Sequence, residues 1–317
     1  MTRRFSVVVP VYQNEQELPD TISKLLSLRD ELPGYALELV FVDDGSRDRS
    51  LDILLEHARR YPNNVQVVKL SRNFGQTPAI QAGLRYATGD CVGIISADLQ
   101  EPWECFPRMV KEWEQSAKFV IGERQAREES TSHQFLSGLY WSLVRRLAFP
   151  NFPRKGYDFC LLDRQVVDDV NHINEKNSSI FVLIYWLGYW PVRVPIVRRL
   201  REAGTSQWRL GKKISFTVDT LIGFTNLPAR FITVMSFTLA VLCLLFLVFS
   251  VMIWLRLRTA PPGWMTQVAL LTLLGAMILF ALGIVSEYLL RILDEARKRP
   301  PYVVDRVTNK SNPHNRG

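Results

Sequence analysis

The spacing of apolar and polar positions divides this chain in two. In the N-terminal half, short β-rich runs (Phe5 to Val9, Leu37 to Val42, Val65 to Leu70, Cys91 to Ser96, Phe119 to Ile121) alternate with amphipathic segments of helix length. Those segments are Leu18 to Leu32, Ser50 to Tyr61, Ala79 to Ala87 and Trp103 to Gln115. Strands that alternate with helices predict an α/β domain built on a mostly parallel sheet. Near the C-terminus the periodicity disappears: Phe231 to Leu255 and Gln267 to Leu290 are apolar throughout, and each reaches the roughly 20 residues that cross a bilayer as a helix. The expected organisation is a large α/β domain over 1–210, an interfacial amphipathic helix over 211–230, two transmembrane helices within 231–290, and a cytoplasmic tail over 291–317. The interfacial assignment rests on Phe216, Leu221, Ile222 and Phe224 set among Lys212, Lys213 and Arg230, although a plain connector has the same pattern.

Charge orients the apolar pair. Their connector carries only Arg256 and Arg258, whereas Arg209, Lys212, Lys213 and Arg230 precede them and Arg291, Arg297, Lys298 and Arg299 follow. The positive-inside bias then puts both termini and the large domain in the cytoplasm. Residues Met1 to Val11 have a basic start, but their apolar run is short and broken by Pro10, which reads as a first strand rather than a signal peptide. A net charge of +8 concentrated near the apolar stretches suits anionic headgroups and phosphate substrates better than nucleic acid. The four cysteines have no metal-type spacing, and Cys243 falls in an apolar stretch, so a reduced compartment without a disulfide framework is expected. Disorder is expected only for Thr308 to Gly317, which is polar.

Ligands of parallel sheets sit beyond the carboxyl ends of the strands. Here those ends read Pro10-Val11-Tyr12-Gln13-Asn14-Glu15, Asp43-Asp44-Gly45-Ser46, Ser71-Arg72-Asn73-Phe74-Gly75-Gln76 and Ser96-Ala97-Asp98-Leu99-Gln100-Glu101-Pro102. Any one of these could be a turn followed by a helix cap. Four at consecutive strand ends argue for a shared pocket. No Gly-x-Gly-x-x-Gly follows a strand, and Gly204 to Lys212 has the wrong spacing for a phosphate-binding loop, which sets aside dehydrogenase, kinase and ATPase readings.

Taken together, these motifs resemble the GT-A glycosyltransferases of family 2, and within them the polyisoprenyl-phosphate glycosyltransferases, the group of bacterial undecaprenyl-phosphate glucosyltransferase and dolichol-phosphate mannose synthase. The match continues through Gly156 to Arg164, Arg201 to Ser206, Ser286-Glu287-Tyr288 and Arg299 to Tyr302. The resemblance implies a GT-A fold (Rossmann-like, mostly parallel sheet) followed by a C-terminal two-helix transmembrane hairpin, in a multi-pass protein of the bacterial inner membrane. It implies a UDP-sugar donor contacted by Pro10, Tyr12, Glu15, Asp44, Arg72, Gln76 and Ala97, with Asp44 on the uracil; a structural turn contact is the alternative role for Asp43. A divalent cation, Mg²⁺ or Mn²⁺, would be held by Asp98 and the amide oxygen of Gln100. Ser96 stands where the family commonly has an Asp, which weakens the expected ion site. A helix cap ahead of Pro102 is the structural alternative for Asp98.

The acceptor implied is a polyprenyl phosphate, cradled by Arg124, Ser137 and Arg201, with Arg127 a further candidate. Asp98 and Asp158 are the implied catalytic carboxylates, Asp158 being paired with an arginine or the ion; an ion pair with Arg164 is its structural alternative. Single displacement would invert the anomeric configuration. Glucose is the sugar favoured, no nucleic acid is a partner, and a homo-oligomer is left open. A processive polysaccharide synthase or a silent nucleotide-sugar-binding scaffold are the other functions the pattern allows.

Overall fold

The computed structural model describes residues 2–124, 145, 152–153, 156–173, 179–197, 227–257 and 263–308. Their centre is an eight-stranded sheet. Its strands are β1 (Arg3–Val11), β2 (Tyr35–Asp43), β3 (Val65–Leu70), β4 (Cys91–Ile94), β5 (Phe119–Arg124), β6 (Cys160–Asp163), β7 (Val192–Ile196) and β8 (Val304–Val307), in the order β7-β5-β6-β4-β1-β2-β3-β8. Helices α1 (Leu18–Glu31), α2 (Ser50–Arg60), α3 (Gln76–Tyr86), α4 (Phe106–Glu114), α5 (Arg164–His172) and α6 (Ile180–Trp186) accompany it. The α/β class and the mostly parallel sheet are therefore as the periodicity predicts.

The strands read as continuous apolar runs because both sheet faces are covered. On β1, Phe5, Val7 and Val9 join a core with Ile22, Leu25 and Leu28 of α1. Val8 faces the other way, under α3, where a Cβ on Gly83 would lie 2.3 Å from Val8 Cγ1. A side chain there would force helix and strand apart.

Strand order decides where a ligand can sit. β1 pairs in parallel with both β2 and β4, and β2 pairs in parallel with β3. The chain winds outward from β1 to β3 and then returns to the opposite side of β1. In sheets of this kind ligands sit at such a reversal, beyond the carboxyl ends of the strands, here those of β1 and β4. β6 is inserted antiparallel between β4 and β5, so its amino end lies at that same edge.

The described chain clusters into two units. Residues Met1–Ile214 and Pro300–Gly317 make one, and Ser215–Arg299 the other. The second contains two long helices, α7 (Leu227–Leu257) and α8 (Trp264–Ala296), which cover both apolar stretches. Large apolar side chains such as Phe237, Phe249, Leu271 and Leu279 are exposed on them. One window of the described residues, Leu273–Leu290, with mean hydropathy 2.1, is long and apolar enough to cross a membrane. The expected interfacial helix falls on 211–226, outside the described residues, apart from its end in α7.

The segment read from sequence as a tail contributes structure. α8 continues to Ala296, and β8 then pairs antiparallel with β3. An outer strand leaves a row of backbone donors and acceptors without partners, and β8 supplies them.

Candidate functional site

The loops after β1 and β2 are stitched together. Gln13 N–H donates to Ser46 Oγ (3.1 Å), Asn14 N–H to Ser50 Oγ (2.9 Å) and Glu15 N–H to Asp48 Oδ2 (3.2 Å), while Glu15 Oε2 accepts from Arg49 N–H (2.9 Å). Tyr12 N–H donates to Asn14 Oδ1 at 3.1 Å. Pro10, Tyr12 and Glu15 are each half-buried on this rim.

Asp44 ties the second loop to the third. Its Oδ1 accepts from Phe74 N–H at 2.7 Å and its Oδ2 from Gly75 N–H at 2.8 Å. Burial pushes this carboxyl up to about 6, against the opposing pull of the two amides. Asp43 is fully buried and also shifted upward by burial. Its Oδ1 accepts from Ser46 N–H at 3.3 Å, the turn contact expected for it, and its Oδ2 has no hydrogen-bond partner among the described residues. Arg72 is exposed; its guanidinium lies 4.1 Å from the centre of the Phe74 ring and donates to Asn73 O at 3.2 Å. Gln76 is the exposed first residue of α3.

Gly45 makes this approach of two loops physically feasible. It sits at φ +70°, and a Cβ there would lie 2.6 Å from Arg72 C and 2.7 Å from Asn73 N. Both the left-handed backbone and the clash with main-chain atoms exclude a side chain. Gly45→Ala is expected to cost about 1–3 kcal/mol of stability, read as a lowered midpoint in urea unfolding. An unchanged midpoint would contradict this packing.

After β4 the chain turns sharply, with Leu99 at φ 43°. Ala97 is buried, and its carbonyl accepts from Thr21 Oγ1 at 2.7 Å. Gln100 Nε2 donates to Asp98 Oδ2 at 2.6 Å, so the two side chains expected to hold a cation are adjacent. Among the described residues no three His, Cys, Asp or Glu side chains converge as a metal cluster. What the loop offers is a hard-oxygen set, the Asp98 carboxylate and the Gln100 amide, with the Ser96 hydroxyl close in sequence. Those oxygens are of the hard type that suits Mg²⁺ or Mn²⁺.

The next residue holds the least anticipated contact. Glu101 is fully buried, with Oε1 3.6 Å from a terminal nitrogen of Arg124. The same guanidinium nitrogen donates to Asp158 Oδ2. Arg124 is therefore held between two carboxylates, its side chain only 16% exposed, which matters because a charge so placed is weakly screened. Strand direction explains the meeting. Arg124 ends β5, Glu101 follows β4, and Asp158 precedes the antiparallel β6 that lies between them, with Gly122 N–H donating to Phe159 O at 2.9 Å.

The alternative partner of Asp158 is elsewhere. Arg164 lies past the far end of β6, where it donates to the carbonyls of Gly89 and Ala87 and approaches Asp168 at 3.5 Å. Glu101 was missed from sequence because a Gln-Glu-Pro turn gives no local sign of an arginine nearby. Arg127, Ser137 and Arg201 lie outside the described residues.

Chemically, the edge combines a polar rim over β1 to β3, a hard-oxygen loop after β4, and a half-buried cation with two carboxylates. Comparison with known proteins fits this arrangement. Residues 6–170 match the family model described as Glycosyl transferase family 2. The uncharacterized glycosyltransferase YkcC of Bacillus subtilis is 32% identical over 96% of this chain and 94% of its own. The undecaprenyl-phosphate 4-deoxy-4-formamido-L-arabinose transferase of Edwardsiella ictaluri is 31% identical over 97% of this chain and 95% of its own. The prophage bactoprenol glucosyl transferase homolog of Escherichia coli is 28% identical over 96% of this chain and 99% of its own.

Proposed function

The chain belongs to glycosyl transferase family 2 and its polyprenyl-phosphate group, and on that premise we propose an inverting, metal-dependent transfer of a hexose, glucose favoured, from a UDP-sugar to undecaprenyl phosphate. The observation that carries this reading is the placement of Arg124, between Glu101 and Asp158, directly beside the Asp98–Gln100 loop. A phosphate-binding cation and a diphosphate-binding loop at one crevice are what sugar transfer between two phosphates needs.

In this reading the Asp44–Gly75 rim binds the nucleotide. A divalent cation held by Asp98 and Gln100 would neutralise charge on the departing diphosphate. The acceptor monophosphate, with a second pKa near 6, is largely dianionic at neutral pH and needs positioning more than activation. Arg124 turns toward it, and Asp158 orients that arginine or takes a residual proton. A phosphate oxygen bonds to the anomeric carbon as the bond to the diphosphate breaks, the electron pair leaving with UDP. Attack opposite the leaving group converts an α-linked donor to a β-linked lipid phosphate.

Helices α7 and α8 form the membrane hairpin in this proposal, with both termini and the catalytic unit cytoplasmic. Their exposed apolar side chains and the basic residues outside them support it. The lipid-linked sugar would supply later glycosylation of cell-surface polysaccharide.

The deciding experiment incubates the full chain with a panel of radiolabelled nucleotide sugars and a short polyprenyl phosphate. A lipid-linked monosaccharide, strongest with UDP-glucose, is the expected product. A polymer would identify a processive synthase. No product from any donor would indicate a scaffold.

The buried Asp44 carboxyl adds a pH dependence. A proton on it, half-bound at about 6, removes an acceptor from the Phe74 and Gly75 amides, so donor KM is expected to rise as pH falls through that value. For folding, the sign is opposite. The folded state holds a proton that the unfolded chain releases, so this group's stabilising contribution is complete below the ordinary carboxylate range and is lost as pH rises through about 6. A donor KM flat from about pH 5 to 8 would remove Asp44 from the nucleotide rim.

A further inference from the structure

The loop Ser71–Gly75 is held at three places, and one of them comes from the other end of the chain. Asp44 takes the Phe74 and Gly75 amides, and Gly45 packs under the Arg72–Asn73 backbone. The third anchor is Ser71 N–H, which donates to Val303 O at 2.9 Å. Val303 leads into β8, and that strand is fastened firmly. Thr308 Oγ1 accepts from Val67 N–H (2.9 Å), Thr308 N–H donates to Val67 O (3.0 Å), and Lys69 Nζ meets Asp305 Oδ2 at 2.6 Å. Residues 297–302 alone separate Val303 from Ala296, the last residue of α8.

We propose that β8 is a positioning element for the donor nucleotide, fixing the Ser71–Gly75 loop through the Val303 carbonyl. The proposal rests on the donor-site reading above. Its physical basis is that a loop after an edge strand inherits that strand's freedom. Without β8, β3 has a partner on one side only, and the loop it carries loses its Ser71 anchor. Asp44 must then hold the Phe74 and Gly75 amides against a mobile strand end, and the ordering of that loop is charged to donor binding. The placement also explains why the C-terminal residues cluster with the catalytic unit although α7 and α8 intervene.

The test uses the full chain in detergent, with residues 300–317 removed in one variant and Thr308→Ala in a second, milder one. Hydrogen exchange at the Ser71, Phe74 and Gly75 amides is measured first. Loss of residues 300–317 is expected to speed exchange at all three by about tenfold or more. Donor KM should rise about fivefold or more, with kcat at saturating donor kept within about twofold. A synthetic peptide spanning residues 300–317 should restore both. Thr308→Ala should shift both readouts the same way by less, and this variant decides if the deletion does not fold. Unchanged exchange at Phe74 and Gly75 overturns the proposal. So does a loss of kcat that tracks the folded fraction with KM unaltered, the signature of a strand that merely covers an edge. Failure of the intact chain to bind UDP at all would instead sink the donor-site reading, while the exchange measurement would still decide what β8 does to the loop.

Discussion

Asp158→Asn is expected to lower turnover on polyprenyl phosphate by about 10²–10⁴-fold, the range for loss of a positioned acid–base or orienting group, with the protein still folded. Asp158 shares one guanidinium nitrogen of Arg124 with Glu101. The two carboxylates hold the Arg124 guanidinium largely out of solvent. An amide at 158 keeps the shape but gives up the charge, so the guanidinium shifts toward Glu101 and away from the acceptor. The measurement is steady-state kinetics together with thermal unfolding. A catalytic or orienting role lowers kcat with donor KM and unfolding midpoint nearly unchanged. A structural ion pair would lower the midpoint and leave activity per folded molecule intact, and that outcome would remove Asp158 from the mechanism.

Asp98→Asn carries the second large effect, about 10²–10³-fold in kcat, comparable to removing one group that stabilises developing charge. Asp98 supplies the carboxylate of the Asp98–Gln100 pair, and Gln100 already donates an N–H to it. An amide in its place is a poor ligand for a hard cation. Excess chelator should mimic the substitution on the unaltered chain and have little further effect on the variant. If both leave turnover undiminished, the metal-assisted departure of the diphosphate is wrong. Ser96→Asp should lower the Mg²⁺ or Mn²⁺ concentration needed for half-maximal rate, because it adds a charged oxygen ligand two residues before Asp98. An unshifted metal titration would mean that position 96 lies off the ion.

What could be read from the sequence was whatever local periodicity encodes. The runs that became β1 to β5 and the amphipathic segments that became α1 to α4 were legible because each residue's burial follows from its own element's repeat. The polar clusters at four strand ends were legible for the same reason. They mark where an apolar run stops, and a parallel sheet puts all such stops on one edge. The two apolar stretches needed only length and composition.

Tertiary structure decided which of those residues meet. Nothing near Arg124 in sequence announces Glu101 or Asp158; their contact exists because β6 runs antiparallel between β4 and β5 and delivers Asp158 backwards to that edge. The four residues of β8 have no sheet signal of their own. They become a strand only because β3 presents an open edge to them across more than two hundred positions of chain, a pairing whose stabilisation appears only once the domain has assembled. Asp44 was legible as a site residue, but its hold on the Phe74 and Gly75 amides was not, since that bond joins the ends of two strands brought side by side by the sheet. Sequence alone thus determined the elements and the edge where chemistry gathers, through short-range burial patterns. Which charges face one another there was settled by strand order and direction, which are properties of long-range pairing.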